Sequence, residues 1–368
     1  MKRTSLTESQ KVALSEIRTE LRLLWRSEGL DSNAVIRALS HNLIVYITGD
    51  ESTVQQTIEQ MVEISTAGLG RVICIQSNPS PEDSVDAWVK LHCELQGNRQ
   101  VCGEVIVLTV SGRMREEVHS TVLSLLAPDI PVYLWWTNCP DNDDHLYTEL
   151  ATEADRILVD SDNFSLPGDL VKLASQDNYS ISDLAWAKLT AWRHQIANLW
   201  DIPDLHPVLD HLRTMDIVYV APDDFANANR ALLLLGWLAD RFEWEMMDAA
   251  TGPTGGYISH WRKWRWEGKA EIVESAYAGL PPGEIVSVYL QAGKQPPFVM
   301  PRLEYVEERQ CIDVRTDDAS PSARRHSARF SPMTTAEALM EEIRNLQDPY
   351  YLLALQRAAE IVKSAYSP

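Results

Sequence analysis

Positive charge is scarce in this 368-residue chain: 33 Lys and Arg stand against 53 Asp and Glu, a formal net charge of -20. A surface of that sign repels phosphate backbones and anionic lipid heads, so nucleic acid and membrane surfaces are excluded as expected partners. Long apolar runs are also missing. The longest, Ala231 to Ala239, is about half of the roughly 20 residues needed to span a bilayer, and Gly236 interrupts it. Lys2 and Arg3 are not followed by the apolar stretch of a secretory signal. A cytoplasmic protein is therefore expected.

Cysteine is thinly spread and odd in number, with five residues at Cys74, Cys93, Cys102, Cys139 and Cys311. That is no secreted disulfide framework, and mostly reduced thiols are expected. Glycine is lacking where nucleotide chemistry requires it. After the first strand, Thr48-Gly49-Asp50-Glu51-Ser52 offers one glycine and two carboxylates, where a dinucleotide site needs several glycines so that the backbone can approach a pyrophosphate. Gly68-Leu69-Gly70 precedes a strand instead of following one. Thr251-Gly252-Pro253-Thr254-Gly255-Gly256 lacks the lysine and hydroxyl that close a P-loop, which leaves a turn or a phosphate nest.

The signatures of metal and nucleophile chemistry are absent as well. His92, Cys93 and Cys102 have no C-x-x-C or H-x-x-x-H spacing for zinc, and Asp141-Asn142-Asp143-Asp144-His145 lacks the glycine and the twelfth-position glutamate of a calcium loop. There is no G-x-S-x-G elbow, and His41, His119 and His194 have no partner at sequence level. No catalytic residue, metal ligand or cofactor is assigned.

What is present is an alternation of elements. Thr7 and Gln10 are spaced as a capping box for a helix over 8–28, striped by Leu14, Ile17, Leu21, Leu24 and Trp25. Strands follow at 43–48 and 71–76 around a helix whose Val54, Ile58, Met61 and Val62 share a face. Runs 101–110 and 131–136 flank a further helix, 156–159 reads as a strand, and a long helix is predicted over 183–200. This rhythm predicts an α/β N-terminal domain with a mostly parallel sheet, residues 1–202. Pro203 and Pro207 mark the boundary. Beyond it come a strand at 217–220, a helix at 227–242, and β-rich runs at 257–266, 270–278, 284–291, 298–306 and 310–316. Two helices follow, one capped by Thr334 and Glu337 and one striped by Leu352, Leu355, Ala359 and Val362. Consecutive strands joined by turns such as Leu280-Pro281-Pro282-Gly283 predict an α+β domain with an antiparallel sheet, residues 203–368.

Twelve tryptophans are many for one chain, and three fall in His260-Trp261-Arg262-Lys263-Trp264-Arg265-Trp266. Trp and Arg together supply most of the binding energy at protein interfaces, so Trp261, Arg262, Lys263, Trp264, Arg265 and Trp266 are the candidate partner-binding residues. The alternative is a strand with its tryptophans in the core and basic stems over them. A second basic group, Arg324, Arg325, His326 and Arg329, falls in a predicted loop, either anion-binding or solvated.

Four stretches carry a family resemblance: Arg37-Ala38-Leu39-Ser40-His41-Asn42-Leu43-Ile44-Val45, Pro131-Val132-Tyr133-Leu134-Trp135-Trp136, Arg156-Ile157-Leu158-Val159-Asp160-Ser161, and Asp183 through Arg193. In this order and spacing the chain resembles the glucose-6-phosphate dehydrogenase assembly family, OpcA. The resemblance implies a non-catalytic protein that binds glucose-6-phosphate dehydrogenase, favours its active oligomer and supports the oxidative pentose phosphate pathway. Some members are similar to redox switches acted on by thioredoxin. Cys93 and Cys102 are the pair nearest in sequence and thus the candidate redox pair, with thioredoxin a candidate second partner. A rival reading stays open: an enzyme or sensor binding a sugar phosphate or nucleotide at the carboxyl ends of the N-terminal strands, near Gly49 or Trp136.

Overall fold

The computed structural model describes residues 5–6, 10–27, 35–36, 39–49, 51–68, 70–96, 99–203, 205–209, 211–221, 227–252, 255–263, 266–277, 279–294, 298–317 and 325–367. The chain forms two compact units. The first is Met1–Val159, Asn178–Ser182 and Leu339–Gln347; the second is Asp160–Asp177, Asp183–Ala338 and Asp348–Pro368. Residues 160–177 and 183–202, expected in the N-terminal domain, thus belong with the second unit. Among the described residues, no helix is long and apolar enough to cross a membrane.

Ten strands make the first sheet: β1 (Ser5–Leu6), β2 (Gln10–Val12), β3 (Val35–Ile36), β4 (His41–Ile47), β5 (Gly70–Ser77), β6 (Ser84–Gln96), β7 (Arg99–Ser111), β8 (Val132–Trp136), β9 (Arg156–Val159) and β10 (Ile181–Asp183). Its main path runs β1-β6-β7-β5-β4-β8-β9-β10. The centre is parallel, with β5, β4, β8 and β9 in register and β7 parallel to β5. Every residue of β4 is buried, the near-continuous apolar run expected of a parallel strand covered on both faces.

Two departures from the predicted elements have one cause. β6 is a 13-residue strand antiparallel to β7, and β2 pairs with β6 through Gln10↔Val89 to Val12↔Ala87. The predicted helix over 8–28 therefore starts only at Ile17, because β6 offers an unpaired edge to residues 10–12. Within the helix Ile17–Ser27, Ile17, Leu21 and Trp25 are buried as the stripe predicts.

The second sheet holds β11 (Leu212–Val220), β12 (Glu245–Thr251), β13 (Tyr257–Lys263), β14 (Trp266–Ser275), β15 (Ile285–Ala292), β16 (Met300–Val306), β17 (Cys311–Asp317) and β18 (Arg325–Arg329), in the order β12-β13-β14-β11-β15-β16-β17-β18. It is antiparallel except where β11 runs parallel to β14. Helices Asn229–Arg241 and Pro349–Tyr366 pack on one another, and Gly236 is what lets them. A Cβ at Gly236 would lie 2.3 Å from the Ala354 carbonyl oxygen, a backbone atom that cannot move aside cheaply. The predicted long helix over 183–200 is two helices, Leu184–Lys188 and Thr190–Ala197, parted at Leu189, whose N–H bonds the Trp186 carbonyl at 3.1 Å.

Candidate functional site

The tryptophan-rich segment begins on β13, where side chains alternate between faces: Tyr257, Ser259 and Trp261 are buried, while His260 and Arg262 are exposed. Trp261 is 0% exposed, its indole N–H donates to Ser259 Oγ at 2.8 Å, and its ring lies 6.0 Å from that of Trp244. Its assignment as a partner-binding residue is thereby corrected, since a ring buried in the sheet's core cannot meet a partner. Arg262, Lys263 and Trp266 do reach the surface at least in part. Arg213 stacks over Trp266 at 4.8 Å. Trp264 and Arg265 lie outside the described residues.

Lys263 lines a cavity of about 370 Å³ together with Ile196, Trp200, Trp237, Arg241 and Phe242. The Trp200 and Phe242 rings are 5.2 Å apart, and Arg241 pairs with Asp240 at 2.6 Å while stacking on Tyr350 at 4.4 Å. Aromatic walls with cations at the rim make a surface suited to anchoring an apolar side chain beside an acidic one. Sequence reading missed Trp200 and Trp237; each is a single tryptophan on its own helix or turn, and only the fold brings them beside Lys263.

Cys93 and Cys102 face one another across β6 and β7 and are joined in a disulfide, with Cα atoms 4.0 Å apart. The expectation of mostly reduced cysteines fails for this pair and holds for Cys74, Cys139 and Cys311, which are free. Both bonded residues are buried against Trp25 and Leu91. Trp25 donates to Glu104 at 2.6 Å, and Glu104 holds Arg71 at 2.6 Å, so the disulfide sits beside a buried polar contact that ties the helix 17–27 to the sheet. Burial pushes the free Cys74 thiol up to about 12, which leaves it unreactive at neutral pH.

Near the carboxyl ends of the parallel strands, the Tyr46 ring stacks on Trp136 at 3.9 Å, and Trp136 meets Tyr147 edge-on at 5.2 Å. Arg115 lies over Tyr46 and pairs with Asp144 at 2.5 Å. Both Trp135 and Trp136 are buried. A ligand at this end of the sheet would have to displace that aromatic stack. Among the described residues, no group of three or more His, Cys, Asp or Glu is placed to hold a metal ion.

The densest polar constellation lies inside the second unit. Lys188 donates to Asp160 at 2.9 Å and Asp162 at 2.8 Å; Arg230 pairs with Asp162 at 2.6 Å and Glu284 at 2.6 Å. Asp183 accepts from the Ser161 and Ala185 N–H groups at 3.0 and 2.9 Å and caps the helix 184–188. Asn229 donates to the Ser161 carbonyl at 2.7 Å. Three buried carboxyls and the partly buried Asp162 thus face two cations, and burial acts on the surplus: Asp183 is pushed up to about 7 by desolvation, and Asp160 to about 6 by desolvation and the neighbouring Asp162. Asp162 goes the other way, because Arg230 and Lys188 together outweigh its burial. Both cations are paired with carboxylates of the cluster, so the arrangement fastens the start of the second unit to its helix 229–241 and to Glu284 at the head of β15. Losing one partner of a buried pair costs about 3–5 kcal/mol.

Asp160, Asp183 and Lys188 come from two of the stretches that carry the family resemblance, and comparison with known proteins decides what that means. Residues 62–175 match the family described as glucose-6-phosphate dehydrogenase subunit N-terminal domain, and residues 179–355 match its C-terminal domain. The chain belongs to the OpcA family. Curated OpcA relatives include the "Putative OxPP cycle protein OpcA" of Synechocystis sp., 30% identical over 217 residues that make up 57% of this chain and 44% of that protein. The OpcA relative from Nostoc punctiforme is 30% identical over 189 residues, 50% of this chain and 40% of that protein. The matches therefore span less than half the length of these OpcA relatives. In fold, this OpcA-family chain is similar to glucose-6-phosphate 1-dehydrogenase from Mycobacterium avium, with a TM-score of 0.52 at 13% identity, covering 88% of this chain and 91% of that one.

Proposed function

We propose that this chain is a cytoplasmic, non-catalytic partner of glucose-6-phosphate dehydrogenase that binds the enzyme, favours its active oligomer and so supports the oxidative pentose phosphate pathway. The observation that carries this is the match to both OpcA-family domains over residues 62–175 and 179–355. An activator acts through differential affinity: it must bind the active form more tightly than the inactive one, which calls for a recognition surface and no reaction centre. The ion cluster, whose two cations are spent on its own carboxylates, and the aromatic stack of Tyr46 and Trp136 are consistent with that role.

The recognition surface is assigned to Arg262, Lys263 and Trp266 with the adjoining cavity of Trp200, Trp237 and Phe242, and by sequence to Trp264 and Arg265. Calorimetric titration of the dehydrogenase tests this. Trp237→Ala with Lys263→Ala should weaken binding at least tenfold with the fold intact; unchanged affinity would remove this face from the account.

Cys93 and Cys102 are assigned as the redox pair, with thioredoxin as the reductant. Because the disulfide is buried, reduction requires β6 and β7 to part locally, so activation should change between oxidised and reduced protein only slowly. Thiol counts with and without reductant, on wild type and Cys102→Ser, test it. Equal activation in both redox states would sink the switch.

A further inference from the structure

The cavity beside Lys263 has the make-up of a small-molecule site. Its lining is apolar apart from two cations: Ile196 comes from the helix 190–197, Trp200 follows that helix, and Trp237, Leu238 and Phe242 come from the end of the helix 229–241. Ile196, Leu238 and Phe242 are buried, whereas Trp200 and Trp237 are partly exposed, so the cavity has an apolar floor and an aromatic mouth. Sites for small molecules are mostly apolar clefts of roughly 300–1,000 Å³ with a few placed polar groups. At about 370 Å³ this one lies at the lower end, with room for one or two rings and too little for a dinucleotide.

The two cations are not equivalent. Arg241 is spent on Asp240 at 2.6 Å and on the Tyr350 ring at 4.4 Å, whereas among the described residues no carboxylate pairs with Lys263. The lining therefore carries one uncompensated positive charge. A helix C-terminus ordinarily repels an anion, because its last carbonyls are unsatisfied. Here the carbonyls of Leu238, Ala239 and Asp240 accept from the N–H groups of Phe242, Trp244 and Glu243 at 2.8, 2.8 and 3.0 Å, which blunts that repulsion.

We propose that this cavity binds a small aromatic acid, one or two rings bearing a single carboxylate. The rings gain edge-on and offset contacts with Trp200, Trp237 and Phe242, and the carboxylate takes charge-assisted hydrogen bonds from Lys263. A multiply charged phosphate compound is disfavoured, since it would meet one uncompensated cation in a chain of net charge -20. The consequence for regulation rests on the reading given above, in which the same cavity anchors a side chain of the dehydrogenase: the acid and the dehydrogenase compete, and the acid lowers activation.

The probe is indole-3-acetate, titrated calorimetrically into the full chain, with indole-3-acetamide as its uncharged counterpart. Saturable binding at one site is expected, at least tenfold weaker for the amide and for Lys263→Met, restored in Lys263→Arg, and unchanged in Arg113→Gln, an exposed arginine of the first unit. Trp237→Leu should weaken it as well; if that variant does not fold, Lys263→Met reads the same cavity from a side chain that packs no core. No saturable heat overturns the proposal, as does equal binding of acid and amide. Tighter, Lys263-dependent binding of adenosine monophosphate than of indole-3-acetate would overturn the assignment in favour of a nucleotide. A second titration, of the dehydrogenase into chain saturated with indole-3-acetate, separates this proposal from the placement of the recognition surface. At least tenfold weaker binding of the dehydrogenase supports both. Undiminished binding leaves the acid site standing and removes the shared use of the cavity, whereas a dehydrogenase that binds through Trp237 to a chain that takes up no indole-3-acetate removes the acid site alone.

Discussion

Asp183 shows how one buried carboxyl makes the whole fold sensitive to pH. Its folded-state value is about 7, raised from 3.8 by desolvation, so between those values the folded protein holds a proton that the unfolded chain releases. The sign follows: the stability it contributes is present below about pH 4 and is lost as pH rises through about 7, on the order of a few kcal/mol. Asp183→Asn keeps the Oδ1 acceptor for the Ser161 and Ala185 N–H groups and removes the titration. Urea unfolding across pH 5 to 8 should show a falling stability for wild type and a flatter line for Asp183→Asn; parallel lines would contradict the assignment. Trp261 makes a second case. Trp261→Ala should cost about 3–5 kcal/mol, as for other buried aromatics, whereas exposed Arg262→Ala should stay within about 0.5 kcal/mol. The alternation around Trp261 was legible in the sequence, but not which face is covered, because that depends on Trp244, which reaches the same core from before β12. The ion cluster was not legible at all: Asp160, Lys188, Arg230 and Glu284 are spaced far apart, and carboxylates are too common here for any pair to stand out.

At the scale of elements, helices with strong stripes and apolar strands were found, and segments whose structure depends on a neighbour were not. The residues buried in β4, β5 and β8 came straight from apolar runs. β6 alternates over most of its described length, with Ala87, Val89, Leu91 and Cys93 buried and Asp86 and Trp88 outward, but His92 is buried as well, and the apolar Trp88 on the outer face blurs the pattern. In the last helix Leu355, Ala359 and Val362 are buried as predicted, yet Leu352 is exposed and Tyr351 takes its place inside. The stripe was read one position off at its start. Gly236 carries the sharpest prediction at this scale. Gly236→Ala improves helix propensity by up to about 1 kcal/mol, but its Cβ would meet the Ala354 carbonyl oxygen at 2.3 Å. Overpacking wins, with a net loss of about 1–3 kcal/mol and a lowered Tm. A Tm at or above wild type would mean that the two helices part more easily than their contact suggests.

The whole molecule combines a mostly parallel sheet and a mostly antiparallel one in a chain of formal net charge -20. The fold classes of the two sheets followed from the order of elements. The division between the units did not, because Pro203 and Pro207 fall inside the second unit, the latter within the short helix His206–Leu209, whereas the chain changes units after Val159 and returns to the first for residues 178–182 and 339–347. Nothing in local composition announces such returns. Arg156, which donates to the carbonyls of Glu342 at 2.8 Å and Asn345 at 3.0 Å, records one of them. The central claim is that a recognition surface on this molecule biases glucose-6-phosphate dehydrogenase toward its active form. Its most direct test is the glucose-6-phosphate saturation curve of the matching dehydrogenase, measured at rising concentrations of this chain. A leftward or upward shift that saturates with added chain is the predicted result. Curves that superimpose at every concentration would contradict the account.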